Sequence, residues 1–140
     1  TTEIYTLSLH DALPILLRAR INSNDQAVRG DLRAFSTAAE SFRAAQPTPT
    51  YPADFAALTG ANPPYLDTTW SEGATKHGHT INYLVPAAPA ATYSLRASAV
   101  ANNATIHYCI DNAGVLMSSN AAAAPAAAAT GCGAGWTAVT

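Results

Sequence analysis

The stretch LLRARINSNDQAVRGDLRAFSTAAESFRAAQ, residues Leu16–Gln46, decides the fold because it is long, regular and amphipathic. A set of its apolar residues recurs three, four or seven positions apart, which is the spacing of one face of an α-helix. That face consists of Ile21, Val28, Leu32, Phe35, Ala39 and Phe42. Proline is absent from the stretch, and Pro47 follows it directly as a stop signal. The pattern predicts a helix of about thirty residues, roughly 45 Å long, which is long for one small domain.

The second half of the chain favours β-strands. Residues 80–85, 92–99 and 105–110 alternate with a period of two or are rich in β-branched and aromatic residues. A turn at Asp111–Gly114 leads into a short return strand at Val115–Met117. Because the connections between these runs are short, the sequence predicts an antiparallel meander. We therefore expect an α+β chain with one long N-terminal helix and a small antiparallel β-sheet.

Other segments are predicted to be short or irregular. A short helix is expected from Ala53 to Thr59, with Gly60 as its C-terminal stop. Residues 67–79 have the composition of a loop, and the Ala/Pro-rich residues 118–129 that of an exposed loop. The final segment contains two large apolar residues, Trp136 and Val139.

The chain contains two cysteines, Cys109 and Cys132. An even number of cysteines in a small chain rich in Thr, Ser and Asn indicates one disulfide formed in an oxidising compartment. The alternative is a pair of unpaired buried thiols. A bridge would close a loop over the Ala-rich segment and stabilise the fold by about 3 kcal/mol on the chain-entropy model.

Composition and charge exclude several classes of function. Seven basic and nine acidic residues give a net charge of −2, without a basic stripe for nucleic acid or a polybasic patch for a membrane surface. The hydrophobic fraction is 49%, but much of it is alanine, so we expect a modest core. The sequence contains no run of 18 apolar residues that would form a complete transmembrane helix.

Two clusters of polar residues were considered as chemical sites. His77 and His79 are two positions apart on an extended segment and could share a metal ion, but further ligands are not evident and a polar loop is the simpler interpretation. His107, Cys109 and Asp111 alternate and so share one face of a strand, although Cys109 is better used in a disulfide. Motifs for phosphate binding, zinc binding or nucleophilic serine catalysis are absent from the sequence. We therefore predict no catalytic residue, no metal, no cofactor and no enzymatic activity.

The first fifteen residues, TTEIYTLSLHDALPI, are interpreted as foreign to the protein. Their reverse translation matches a common short-read sequencing-library adapter at every position in one frame. We therefore exclude residues 1–15 from fold reasoning, as one would a tag. This assigns no chemistry to His10 and Asp11, and it predicts that the native N-terminal segment is missing.

Three stretches together resemble the type IV pilins and the pseudopilins of type II secretion. Residues 16–44, LLRARINSNDQAVRGDLRAFSTAAESFRA, are similar to the pilin helix just past its hydrophobic anchor. Residues 63–83, PPYLDTTWSEGATKHGHTINY, are similar to the loop that enters the first strand in one pilin group. Residues 92–116, TYSLRASAVANNATIHYCIDNAGVL, are similar to the strand pair of that group, which ends in Asp-x-x-Gly-Val. The order and spacing of the three stretches are more specific than any one of them.

The resemblance implies a pilin-like architecture. Residues 16–46 would be the C-terminal part of the pilin helix, with its amphipathic half packed on a small antiparallel sheet. Residues 47–140 would form the globular head, with a C-terminal loop held by a disulfide, as in many pilins. The family also implies a cleaved leader and an apolar anchor of about twenty residues ahead of Leu16. The Ala/Pro-rich insertion departs from the shortest members of the group.

The implied function is that of a structural subunit of a type IV pilus or type II secretion pseudopilus, assembled by helix–helix packing. The expected partners are copies of the chain or other pilins, and the inner membrane through the missing anchor. The expected location is the inner membrane before assembly and a periplasmic or extracellular filament afterwards. The alternative is a minor pilin or a secreted cell-surface module that presents its loops to a ligand.

Overall fold

The computed structural model describes the backbone of residues 2–140 and the side chains of residues 12–140. Two helices precede a single sheet: α1 spans Thr2–Ala45 and α2 spans Phe55–Thr59. The strands are β1 (Thr75–Lys76), β2 (His79–Leu84), β3 (Ser94–Ala99), β4 (His107–Asp111), β5 (Leu116–Ser119) and β6 (Thr137–Ala138). The chain thus has the α+β organisation that the sequence predicts.

Helix α1 ends at Ala45, two residues before Pro47, as the position of that proline predicts. At its other end the helix continues without interruption across residue 15 and contains Pro14. Residues 2–15 are therefore helical in this chain. Their adapter origin stays a prediction, because a helical conformation does not reveal where a sequence came from.

Short helix α2 is two residues shorter at its start than predicted. Asp54 is its N-cap, and the Asp54 carboxylate accepts a hydrogen bond of 2.9 Å from the backbone N–H of Ala57. Gly60 is the C-terminal cap, as predicted, but with a φ of −92° it does not use the left-handed conformation open to glycine. Asp54 stops the helix from starting at Ala53, because a capping residue is held in extended backbone.

The six strands form one antiparallel sheet in the order β1-β2-β3-β4-β5-β6. Each strand pairs with its sequence neighbour, which confirms the predicted meander. Two strands were not predicted: β1 lies in the expected loop of residues 67–79, and β6 lies in the tail. Each of them has two residues, which is too short to carry an alternating pattern.

The core lies between α1 and one face of the sheet. Phe35 is at its centre, with its ring 5.6 Å from those of Phe55 and Trp70, 5.2 Å from that of Tyr83 and 5.8 Å from that of Tyr93. Edge and tilted arrangements of this kind add to the free energy gained from burial. The aromatic side chains compensate for the many alanines, each of which contributes little buried area.

The helix face predicted from periodicity points mainly into this core. Val28, Leu32, Phe35 and Ala39 are fully buried, Phe42 is partly buried against the core, and Ile21 is half-buried. The ring of Phe42 lies 5.8 Å from that of Tyr65 in an edge arrangement. Burial therefore decreases toward both ends of the set, where the head covers less of the helix.

The opposite face of the sheet is covered by residues 120–135, which we name the C-terminal cover. Cys109 on β4 and Cys132 in the cover form a disulfide, which confirms that prediction. Side-chain donors on the sheet reach carbonyl oxygens of the cover: Ser94 Oγ donates to Ala128 at 2.7 Å, and Thr92 Oγ1 to Ala129 at 3.0 Å. The Cys132 N–H donates to the Asp111 carboxylate at 3.3 Å.

The prediction of a loop over residues 118–129 is wrong at its start, because Ser118 and Ser119 belong to β5. Between residues 120 and 135 the structure has no helix and no named strand, as expected for a loop. The segment does not extend freely into solvent, however, because its backbone carbonyls are bound to the sheet. Sequence periodicity misses this contact because the cover binds through its backbone and not through an apolar side-chain pattern.

Candidate functional site

The outward face of α1 carries an unbroken series of small side chains, which we name the small-residue stripe. Its members recur at alternating spacings of four and three: Ser23, Ala27, Gly30, Ala34, Thr37, Ser41 and Ala44. Several of them lie two positions after a buried residue, which is roughly 200° around a helix. The stripe is therefore on the side of α1 that faces away from the head.

The stripe is open to solvent. Ala27 is half-exposed, and the other six members are exposed. A Cβ atom added at Gly30 would meet no atom within 4 Å among the described residues. Charged side chains such as Arg33 and Glu40 lie beside the stripe and not on it. Small side chains along one face allow a second helix backbone to approach closely.

The N-terminal part of α1 is also uncovered. Leu16 is 64% exposed and Leu17 is 46% exposed, so two large apolar side chains lie outside the core. Leu13 and Ile15 are exposed as well, but they fall in the stretch interpreted as adapter-derived. The described residues of the head therefore leave Leu16 and Leu17 largely accessible to solvent.

Two histidines near β1 and β2 face acidic residues of α1. His77 Nε2 lies 3.4 Å from Asp31 Oδ2, and His79 Nε2 lies 3.7 Å from Asp25 Oδ1. In the part of the chain that the structure describes, no group of three or more His, Cys, Asp or Glu side chains could hold a metal ion. The pair considered as a metal motif thus meets one carboxylate per histidine.

Burial raises the pKa of Asp25 above its ordinary value, against the lowering effect of His79 and of the Arg29 guanidinium. Arg29 donates from Nε to the hydroxyl of Tyr108 at 3.1 Å and stacks over its ring at 5.2 Å. Asp25 is 6% exposed, so its carboxylate lies within the contact between α1 and the sheet.

The second predicted cluster is used in structural contacts. His107, Cys109 and Asp111 do share the face of β4 under the C-terminal cover, as their alternation predicts. His107 Nδ1 accepts a hydrogen bond of 2.8 Å from the backbone N–H of Ala99, and its Nε2 lies 3.2 Å from the carbonyl of Ala121. Burial lowers the pKa of His107, which favours the neutral ring with its proton on Nε2.

Buried tyrosines surround the central phenylalanine. Burial is the main reason why the pKa values of Tyr51 and Tyr83 are raised well above the ordinary value, and it raises that of Tyr93 to about 12. The Tyr83 hydroxyl donates to the carbonyl of Pro52 at 2.7 Å. These rings stay neutral at physiological pH and act as packing groups that also hydrogen-bond.

A shallow groove of about 530 Å³ lies beside α2. Its walls include the aromatic side chains of Phe55, Trp70 and Tyr83 and the carboxylates of Asp54 and Glu72. Both carboxylates are already engaged, since Asp54 caps α2 and Glu72 accepts from the backbone N–H of Tyr83 at 2.9 Å. The three aromatic side chains are only 5–9% exposed because they belong to the core, and the acidic groups of the groove are held in place by hydrogen bonds.

No protein-family model, curated protein or solved structure matches this chain. Among the described residues, no helix combines the length and hydropathy that crossing a bilayer requires.

The small-residue stripe was not predicted from the sequence, although its regular spacing is visible there. The same spacing of three and four that marks the apolar face also marks the stripe, displaced by two positions. Large apolar residues mark a helix face by their hydrophobicity, whereas a set of Ser, Ala, Gly and Thr does not raise the hydrophobicity of a face.

Proposed function

We propose that this chain is a structural subunit of a filament of the type IV pilus or type II secretion pseudopilus kind. In the proposed assembly, α1 packs against α1 of neighbouring copies while the heads lie outside. The observation that carries the proposal is the small-residue stripe. Its exposed members, from Ser23 to Ala44, follow one face of the helix over about 30 Å.

The length of α1 supports the proposal. Without residues 2–15, which are interpreted as adapter-derived, α1 still has 30 residues and is about 45 Å long, whereas among the residues whose burial the structure describes its buried positions lie between Asp25 and Ala39. Exposed leucines at positions 16 and 17 lie outside the covered part. Burial of such side chains against sister helices removes apolar surface from water, at about 25 cal/mol per Å².

The small side chains of the stripe determine how closely two helices could approach each other. Interaxial distances of 8–10 Å depend on the side chains at the contact, and small residues favour the short end of that range. Close approach increases van der Waals contact along both helices. Charged groups beside the stripe, such as Arg33 and Glu40, would remain at the solvated rim of such a contact.

The second candidate is a minor pilin or a secreted surface module that binds a ligand through its head. The groove beside α2 favours this alternative, because a concave surface lined by apolar and acidic side chains is a common form of binding site. The two candidates differ in what the outward face of α1 does. A surface module needs the groove but does not need the stripe.

The most direct test is the sequence of the native gene upstream of the codon for Leu16. The proposal expects about twenty apolar residues with one acidic residue, preceded by a short leader. The helical phase should continue, so that the stripe and the apolar segment form one rod. A polar or globular sequence directly ahead of Leu16 would contradict the proposal.

A further inference from the structure

The two halves of α1 contact the head in different ways. In residues 31–45 the buried side chains are apolar: Leu32, Phe35, Ala38 and Ala39. The ring of Phe35 lies between 5.2 and 5.8 Å from several other aromatic rings of the core. This half of the helix is therefore held by apolar burial and aromatic packing.

Residues 16–30 of α1, which we name the strap, bury much less apolar surface. The buried side chains of the strap are Val28 and Asp25, and Ile21 is half-buried. Because removal of apolar surface from water is the main favourable contribution to such a contact, the strap gains less from docking than residues 31–45 do.

Polar contacts make up much of what attaches the strap. Asn24 Nδ2 donates to the carbonyl oxygen of Asn103 at 2.9 Å. Arg29 Nε donates to the hydroxyl of Tyr108 at 3.1 Å, and its guanidinium lies 5.2 Å from the centre of the Tyr108 ring. When the strap opens, water can replace these hydrogen bonds, so their net contribution to docking is small.

Asp25 lowers the stability of the docked strap. Its side chain is 6% exposed, and Oδ1 has no hydrogen-bond partner among the residues whose side chains the structure describes. His79 Nε2 lies 3.7 Å from this oxygen and is closer to the carbonyl oxygen of Ile106, at 2.9 Å. Burial raises the pKa of Asp25 against the opposing effects of His79 and Arg29. Docking thus buries a carboxylate oxygen without a donor, and opening returns it to water.

The local sequence of the strap also favours opening. Residues 22–25 are Asn, Ser, Asn and Asp, whose side chains compete for backbone hydrogen bonds when they lie inside a helix. Gly30, at the end of the strap, has a lower helix propensity than any residue except proline. A helical segment of this composition depends on its tertiary contacts, so undocking and unwinding are expected to occur together.

We infer that the strap detaches from the head and unwinds as a unit, with Gly30 as its hinge, while residues 31–45 stay docked. The opened state keeps the aromatic core and exposes the part of the sheet around His79 and Tyr108. The head can thus change its position relative to the start of α1 without unfolding. This property belongs to the folded chain and does not depend on the filament proposal.

Hydrogen exchange of backbone amides, resolved by nuclear magnetic resonance at increasing urea concentrations, tests the inference without any substitution. Amides of residues 21–29 should exchange at least about tenfold faster than those of residues 34–39, after correction for intrinsic rates. Their rates should depend weakly on urea because opening the strap exposes little surface, whereas those of residues 34–39 should rise steeply. The same urea dependence in both ranges, or slower exchange in the strap, would overturn the inference.

Two substitutions on the inward face of α1 separate the strap from the core. Val28→Ala removes a contact that opening breaks, so exchange in residues 21–29 should become about tenfold faster. Phe35→Leu is the matched control, because the contacts of Phe35 persist when the strap is open. It should accelerate exchange in residues 34–39 at least about tenfold and change that in residues 21–29 by less than about twofold. Equal acceleration of the strap by both variants would show that α1 opens as one unit and would contradict the inference.

Thiol labelling measures the detachment itself. Both cysteines of the chain are joined in a disulfide, so Val28→Cys introduces a single free thiol. Ala39→Cys is the matched control, because Val28 and Ala39 are both fully buried on the same face of α1. In the folded chain, the thiol of Val28→Cys should react with an aromatic disulfide reagent at least about tenfold faster than that of Ala39→Cys. Equal protection of the two thiols would also overturn the inference, and if a variant does not fold, hydrogen exchange of the unsubstituted chain decides it.

Discussion

Gly30 and Gly114 show how the same residue type serves opposite purposes. Gly30 lies in the middle of α1, and Gly114 ends the turn between β4 and β5 with a φ of +75°. An added Cβ would meet no described atom within 4 Å at either position, so crowding does not distinguish them. The backbone angle does, because only Gly114 occupies the left-handed region.

Replacing Gly30 with alanine is expected to stabilise the monomer by about 1 kcal/mol, because alanine loses less backbone entropy in a helix. Gly114→Ala is the matched control and should destabilise by about 1 kcal/mol, since alanine is strained at positive φ. Urea unfolding followed by circular dichroism measures both. A loss of stability in Gly30→Ala would show that its Cβ site is not open.

Because of His107, the free energy of unfolding is expected to decrease in acid. Its pKa lies below the ordinary value of 6.5 because of burial, so the folded state prefers the neutral ring. The contribution of His107 is complete above about pH 6.5 and decreases as the pH falls through that value. Protonation also removes the Nδ1 acceptor that binds the N–H of Ala99.

We expect His107→Asn, which retains an acceptor near the Nδ1 position, to lose this dependence between about pH 7 and pH 5. The measurement is the midpoint of urea unfolding at several pH values, compared with the unsubstituted chain. Asn120→Ala is a suitable control, since that side chain is exposed and does not titrate. An unchanged slope in His107→Asn would assign the acid sensitivity to another group.

Single residues also show what a sequence can and cannot reveal. The burial of Val28 and Leu32 was predictable because periodicity within one helix is a local signal. The contact between Asp25 and His79 was not, because it joins residues far apart in the chain. Hydrophobic patterning gives no rule for which polar residues meet across a core.

At the scale of elements, the C-terminal cover and the disulfide act together. Cys109 and Cys132 are fully buried, with Cα atoms 6.0 Å apart and a sequence separation of 23. The bridge holds the cover on β4, and hydrogen bonds from Ser94 and Thr92 extend the contact along the sheet. The disulfide was predictable from cysteine number, but the position of the cover was not.

The double variant Cys109→Ala, Cys132→Ala is expected to lose about 3 kcal/mol of unfolding free energy on the chain-entropy model. Amides of residues 120–135 should exchange faster, whereas those of β2 should change little. Hydrogen exchange with mass spectrometry resolves the two regions. Equal acceleration in both would indicate that the bridge stabilises the whole fold and not the cover.

Short strands β1 and β6 illustrate why some elements depend on their neighbours. Thr75–Lys76 pairs with the start of β2, and Thr137–Ala138 pairs with β5. Neither has enough residues for a preference of its own, so each forms because an adjacent strand offers free backbone groups. Such strands can be predicted only after the register of the inner strands is known.

For the whole molecule, the two faces of α1 differ in what contacts them. The inward face, with Leu32 and Phe35, holds the head, and the outward small-residue stripe is not used in the fold. A substitution on the stripe should therefore affect assembly without affecting the monomer. This separation makes the filament proposal testable by paired variants.

In a chain that carries the apolar N-terminal segment that the proposal expects, Ala34→Leu should prevent filament formation, because a larger side chain keeps the helices apart. Arg33→Leu introduces the same side chain about 100° around the helix and should leave filaments intact. Electron microscopy of sheared cell-surface material measures assembly, and thermal unfolding should change little in either variant. Normal filaments with Ala34→Leu would contradict the role of the stripe.

The composition of the stripe also bears on the entropy of association. Alanine and glycine have no side-chain rotamers to lose, and serine and threonine have few. Burying Ala34 or Gly30 against another helix therefore immobilises almost nothing, whereas burying long side chains would cost about 0.5–1.5 kcal/mol each. In the proposed assembly, copies of this helix would therefore lose little side-chain entropy where they meet.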